Sequence, residues 1–261
     1  MTLKELSAST RVAWAVCIRG MQRIRARPVL IIPTVVMPVV LVVSFSGSFS
    51  SLTRIDGYGT TNIYNWMAPY AALQGAVFSG IGGVGSVADD IENGFFDRLL
   101  LTPGSHSALL VGTVGYSALR AFLPTTAVLL VSLLIGGLTI PGGLLGLAAL
   151  YLATASMAIV FCLTGLIIVY KLKTHRSLML VQVLAFGALF ISVGQVPLSF
   201  MQGWLHTASR LNPVSNVLEL ARQGFLDQVA WNTTWPGLIA LAAMIVVTGF
   251  FARRGLYRLT P

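Results

Sequence analysis

Gly80, Gly82 and Gly85, within GIGGVGSVADD, stand in the spacing G-x-G-x-x-G by which a strand-to-helix turn brings backbone N–H groups against a pyrophosphate. That chemistry requires a strand before the first glycine, a helix opening at the third, and an acidic residue about 20 positions further on. Here the glycines sit inside an apolar run that begins near Ala68, so a dinucleotide loop is excluded. Gly75, Ser79, Gly80, Gly83 and Ser86 instead form a small-residue stripe that lets a second backbone come close. The other concentration of reactive types is acidic. Asp89, Asp90, Glu92 and Asp97 supply four of the eight carboxylates, the one cluster from which an acid–base or metal site could be built. His106, His175 and His206 are scattered, and Cys17 and Cys162 lack metal-ligand spacing. Asn232-Thr233-Thr234 matches a glycosylation acceptor, a three-residue pattern of low specificity. No G-x-x-x-x-G-K-S/T occurs, so these residues contain no phosphate-cradling loop for ATP. No catalytic residue, metal or cofactor is assigned to this chain.

The elements that must carry these residues are membrane helices. Hydrophobic residues make up 56% of the chain and charged residues 10%, against about 25% charged in a soluble domain, which leaves too little polar surface to cover a core in water. Six segments have the length and apolarity to span a bilayer: 29–49, 68–88, 116–137, 144–170, 178–198 and 235–252. An even number puts both termini on one side. Of the 17 Lys and Arg residues only Arg54, Arg210 and Arg222 fall on the opposite side, and because cations accumulate in the cytoplasm both ends are expected on the cytoplasmic side of the membrane. The net charge of +9 follows from this distribution and calls for no nucleic acid partner. A cleaved signal peptide fits the first 50 residues poorly, since both its charged part and its apolar stretch would be too long.

The expected organisation is one transmembrane domain over 1–261, with an interfacial helix in 1–28, the six-span region in 29–252 and a tail in 253–261. Residues 3–24 place Leu3, Leu6, Ala13, Trp14, Cys17, Met21 and Ile24 on one helical face and Lys4, Arg11, Arg19 and Arg23 on the other, so that helix can lie in the interface with its basic side toward lipid headgroups. Pro33 and Pro38 should bend the first span. Starting the third span at 116 puts Arg120 within snorkelling reach of the interface, with 105–115 a short surface helix.

Between the second and third spans, residues 94–102 read as a short helix ended by Pro103, on which Phe95, Phe96, Leu99 and Leu100 share a face flanked by Asp97 and Arg98. Such a face docks either on a separate protein or back onto lipid. Residues 199–234 are too apolar for a plain loop and too interrupted for a span. Asn212 can cap a helix with Pro213 in its first turn, whose apolar stripe is Val214, Val217, Leu218, Ala221 and Phe225, with Glu219 and Arg222 on the polar side. That helix, with Trp204 before it, is expected to be a lid over an exit or a surface helix resting on the span ends. Gln74, Gln182 and Gln195, in the spans, are expected to bond neighbouring helices or to meet a ligand.

Two stretches carry a family resemblance. SVADDIENGFFDRLLLTPGS resembles the cytoplasmic loop of the ABC type 2 membrane proteins, the permease subunits of bacterial daunorubicin-resistance-type exporters, and GQVPLSFMQGWLHTASRLNPVSNVLELARQGF resembles their outer loop. The order of six spans fits as well. The chain departs from the pattern at Gln202, where a proline often precedes the Gly-Trp, and at Asp89-Asp90, where a basic residue is common. The resemblance implies an all-α integral membrane fold of two permease subunits, a homodimer or a pair with a related chain. Two cytoplasmic ABC ATPase subunits would carry ATP and Mg. It further implies that Gly94, Phe95, Phe96, Asp97, Arg98, Leu99, Leu100, Thr102 and Pro103 form the coupling element to the ATPase. The function implied is export of a hydrophobic or amphipathic drug or lipid. The alternatives are a polysaccharide permease, or an integral membrane enzyme acting on lipid, for which Asp89 to Asp97 would be the site.

Overall fold

A computed structural model describes residues 3–101 and 106–259, and among them every regular element is helical. In chain order these are α1 (Leu3–Ala26), α2 (Ile32–Phe49), α3 (Ile63–Glu92), α4 (Phe95–Leu100), α5 (Ser107–Gly136), α6 (Gly143–Leu172), α7 (Leu178–Phe190), α8 (Gly203–Leu211), α9 (Pro213–Arg222) and α10 (Trp231–Tyr257). Five are long and apolar enough to cross a bilayer: α2 with its flanking turns, α3, α5, α6 and α10. Thr102 and Pro103, the end of the expected coupling element, lie outside the described residues.

The expected fifth span, 178–198, is realised differently. Helix α7 has 13 residues, about 20 Å at 1.5 Å per residue, against a hydrocarbon core of about 30 Å. The chain leaves the helix at Ile191 and frees the carbonyls of Val193 and Gly194, which then accept from the Arg222 guanidinium at 3.0 and 2.9 Å. A continued helix would have consumed the Gly194 carbonyl internally, but not that of Val193, because Pro197 has no N–H to donate to it. The start of the third span is also corrected: α5 runs unbroken from Ser107, with no separate surface helix before 116.

Helix α3 is the central post, with α2, α5 and α6 around it, and its small residues explain why. A Cβ at Gly80 would lie 2.5 Å from the Ala158 carbonyl oxygen of α6, and one at Gly75 would lie 2.6 Å from Pro124 of α5. Gly82 and Gly83 face Arg120 and Ser117 of α5. The nucleotide-like spacing is thus a packing seam, as the apolar context indicates.

The elements sort to two ends. At the basic end stand α1, the C-terminal end of α3, α4, the start of α5, the α6–α7 turn and the end of α10, where Ser107 Oγ and Tyr257 OH lie 3.2 Å apart. At the far end are the α2–α3 loop, the α5–α6 turn, α8 and α9. There the Gly142 N–H donates to Gly224 O at 2.8 Å, and Gly146 and Gly224 touch backbone to backbone, leaving no room for a Cβ at either.

Candidate functional site

At the basic end Gly94, with φ of 65°, turns the chain sharply out of α3 into α4, a backbone region that favours glycine. The shared apolar face expected on α4 divides. Phe96 is 4% exposed and packs on Tyr170 of α6 with ring centroids 5.9 Å apart. Leu100 packs against the same cluster. The surface that remains open consists of Phe95, Asp97 and Arg98, followed by Leu101 at 78% exposure, with Leu99 half-buried. At about 100° per residue the four side chains span about 140° of the helix surface, and burial of Phe96 inside that arc leaves Phe95, at its edge, turned outward.

The acids are not an open cluster. Asp90 takes both terminal nitrogens of Arg19, at 2.7 and 2.9 Å, and Asp89 pairs with Arg23 and with His175 Nδ1, the latter at 2.8 Å. Glu92 accepts from the backbone N–H of His175 at 2.6 Å and from the Thr174 hydroxyl at 3.1 Å. These carboxylates fasten α1 and the α6–α7 turn to the end of α3. Arg19 and Arg23, expected to face lipid headgroups, face α3 instead, and the Arg19 guanidinium also lies 4.4 Å over the Phe95 ring. Arg120 is likewise buried rather than extended to the interface. It donates to Leu30 O at 2.7 Å and to Thr34 Oγ1 at 2.8 Å, joining the start of α2 to α5.

In the middle of the bundle Gln74 of α3 and Gln182 of α7 line one narrow crevice between the two helices. Gln74 is buried with its Oε1 unpartnered, while Gln182 is exposed. Gln195 stands apart from them at the far end, where its carbonyl accepts from Tyr58 OH at 3.1 Å.

The far end is organised by α9. Asn212 caps it as its position before Pro213 predicts: Oδ1 accepts from the Val214 N–H at 3.0 Å, and Nδ2 donates to Ala188 O at 2.6 Å. Val214, Val217, Leu218, Ala221 and Phe225 are all buried. Arg222 departs from expectation. Instead of lying on a solvated face it is 2% exposed, with its guanidinium 3.6 Å from the Trp66 ring centroid and Nε donating to Trp66 O at 3.2 Å. Burial pushes it down to about 9, so it still carries its charge at neutral pH. Arg222 and Glu219 line a cavity of about 350 Å³ together with Tyr58, Trp66, Gln223 and Thr233. Glu219 stands at the rim of the cavity, where partial desolvation raises its carboxyl above the ordinary range while Arg222 pulls it back. Burial likewise pushes the Tyr58 phenol up to about 12, against the opposing pull of Arg222. Trp204 on α8 is 74% exposed and apart from the cavity lining.

Comparison with known proteins adds a lineage to this geometry. Residues 11–226 match the family described as ABC-2 type transporter. DrrB1 of Streptomyces coeruleorubidus, a daunorubicin resistance ABC transporter permease protein, is 25% identical over 93% of this chain and 89% of its own length. The ycf38 protein of Porphyra purpurea is 24% identical over 80% of this chain and 71% of its own. The YbhR protein of Escherichia coli is 25% identical over 60% of this chain and 43% of its own.

Proposed function

From a chain that belongs to the ABC-2 type transporter family, we propose the permease subunit of an ATP-driven exporter, which moves a hydrophobic or amphipathic drug or lipid out of the cytoplasm or inner leaflet. Daunorubicin resistance in the name of a relative that aligns over nearly the whole chain favours a drug among those cargoes. Two copies, or one copy and a related chain, would form the membrane unit, with two ATPase subunits beneath the basic end. Under this reading that end is cytoplasmic, by the weight of Lys and Arg, and α7 with the turns around it is the sixth crossing.

The observation that carries the proposal is α4. It stands at the basic end between two spans, rooted by Phe96 on Tyr170, and presents Phe95, Asp97, Arg98 and Leu101 outward. An aromatic ring and a leucine flanked by one acid and one base suit a groove on a soluble partner. Motion of that partner would pass to α3 and α6 through Phe96, and to α1 through Arg19 and Asp90. The cargo would pass along the α3–α7 crevice, where Gln74 keeps an unpartnered acceptor. The outer helices α8 and α9 would form the lid, with Trp204, Asn212, Pro213, Glu219 and Arg222. An enzyme acting on lipid is disfavoured, because Asp89, Asp90 and Glu92 are engaged in binding α1 and the α6–α7 turn.

The test is export in cells producing this chain together with an ABC ATPase subunit. Daunorubicin retention should fall only when both chains are present and the ATPase can hydrolyse ATP. Equal efflux from vesicles holding this chain alone, without nucleotide, would identify a passive channel and end the proposal.

A further inference from the structure

The far-end cavity holds more recognition chemistry than a lid hinge requires. A guanidinium has five N–H donors, and Arg222 places three of them on the carbonyls of Trp66, Val193 and Gly194. One N–H on each terminal nitrogen is left as a donor for an anionic group. Gln223 spends its Oε1 on the Thr233 and Thr234 hydroxyls, at 3.1 and 2.8 Å, which leaves its amide N–H groups as further donors in the wall. The Trp66 indole N–H is buried there without a partner, a costly arrangement for a donor unless something accepts from it. Opposite in sign is Glu219, three residues before Arg222 and so about 4.5 Å back along α9, which makes no ion pair with it.

These charges select by exclusion. A simple anion reaching Arg222 would be repelled by Glu219, a simple cation near Glu219 would be repelled by Arg222, and an apolar molecule would strand both. A molecule carrying both charges on a short spacer satisfies each. The cavity of about 350 Å³ is roughly ten times the volume of one water, enough for a headgroup-sized molecule.

We propose that this cavity binds a phospho-amine zwitterion of the phosphoethanolamine type, its phosphate on Arg222, Gln223 and Trp66 and its ammonium on Glu219. The same chemistry is presented by a phosphatidylethanolamine headgroup or by the free phospho-amine. This site is independent of the ATPase and of the cargo crevice.

Native mass spectrometry of the delipidated full chain tests it, with phosphatidylethanolamine and phosphatidylglycerol offered at equal concentration and soluble phosphoethanolamine as competitor. Wild type should prefer phosphatidylethanolamine by about tenfold, the weight of one charge-assisted contact. Glu219→Gln should bring the two lipids to parity while the chain still melts cooperatively as a folded protein. Leu226→Trp, which fills the cavity from its wall, should remove binding of both at this site. Competition by soluble phosphoethanolamine would show a site open to water, and binding of the lipid without competition a site filled from the bilayer; either supports the proposal. Equal retention of both lipids by wild type, or a preference untouched by Glu219→Gln, overturns it. Since no nucleotide or ATPase is present, that failure would leave the transport proposal standing.

Discussion

Replacing Arg222 by methionine removes the guanidinium while keeping most of the stem volume. Three buried carbonyls, on Trp66, Val193 and Gly194, then lose donors now at 3.2, 3.0 and 2.9 Å. At about 1 kcal/mol for each orphaned acceptor, the low end of the usual range, the loss is about 3 kcal/mol. The cation–π contact with Trp66 adds to this, and relief of the buried charge offsets a comparable amount. For a chain of this size about 3 kcal/mol corresponds to a fall in Tm of roughly 6 to 12 °C. The assay is built in: Cys17 and Cys162 are buried free thiols, so a maleimide dye in detergent reports opening of the bundle on heating. Arg222→Lys keeps the charge but not the planar fork, and should lie close to Arg222→Met. A methionine variant that melts within about 2 °C of wild type, or full rescue by lysine, would refute the reasoning that a three-carbonyl fork holds the far end together.

Three further outcomes follow from the geometry. Arg19→Asp should loosen α1 and admit dye to Cys17, and pairing it with Asp90→Arg should restore protection; absence of rescue would mean that the bidentate pair at 2.7 and 2.9 Å does not hold α1. Phe96→Ala should lower stability by about 3 kcal/mol, the usual cost of an emptied aromatic site, and uncouple α4 from Tyr170; an unchanged melt would place Phe96 outside the core. Because burial raises the Glu219 carboxyl above its ordinary 4.5, the folded state holds that proton more tightly. Its contribution is then fully present below the unfolded value and lost as pH rises through the folded one. Thermal melts should show Glu219→Gln gaining on wild type as pH increases across that window, and a parallel pH dependence in both proteins would contradict the shift.

Much of the fold is legible in residue order because bilayer spans need long apolar runs: the expected segments 68–88, 144–170 and 235–252 lie within α3, α6 and α10, and 116–137 overruns the end of α5 by one residue. Asn212 before Pro213 likewise marks the start of α9 correctly, since cap and first-turn chemistry are local. What local patterns could not reveal are partners distant in the chain. The pairing of Arg19 with Asp90 spans 71 positions and that of Arg222 with the Trp66 carbonyl 156, so basic residues on amphipathic faces read as solvated when they are in fact the ties. Helix α7 stops short of Pro197, which could not have donated to the Val193 carbonyl, and the freed carbonyls of Val193 and Gly194 go to Arg222. The inward turn of Phe96 follows from Tyr170 lying beneath it, a residue 74 positions away with no pattern to announce it.

The most direct measurement of the central claim is ATP turnover in lipid nanodiscs by this chain, by a co-produced ABC ATPase, and by the two together, with the α4 variant Phe95→Ala/Leu101→Ala in parallel. No turnover is expected from this chain alone, and the pair should exceed the ATPase alone. The variant, losing about 2 kcal/mol of interface contact, should weaken assembly by about thirtyfold while its own melting temperature stays put. Turnover by the chain alone, or full stimulation and tight assembly by the variant, would contradict the account.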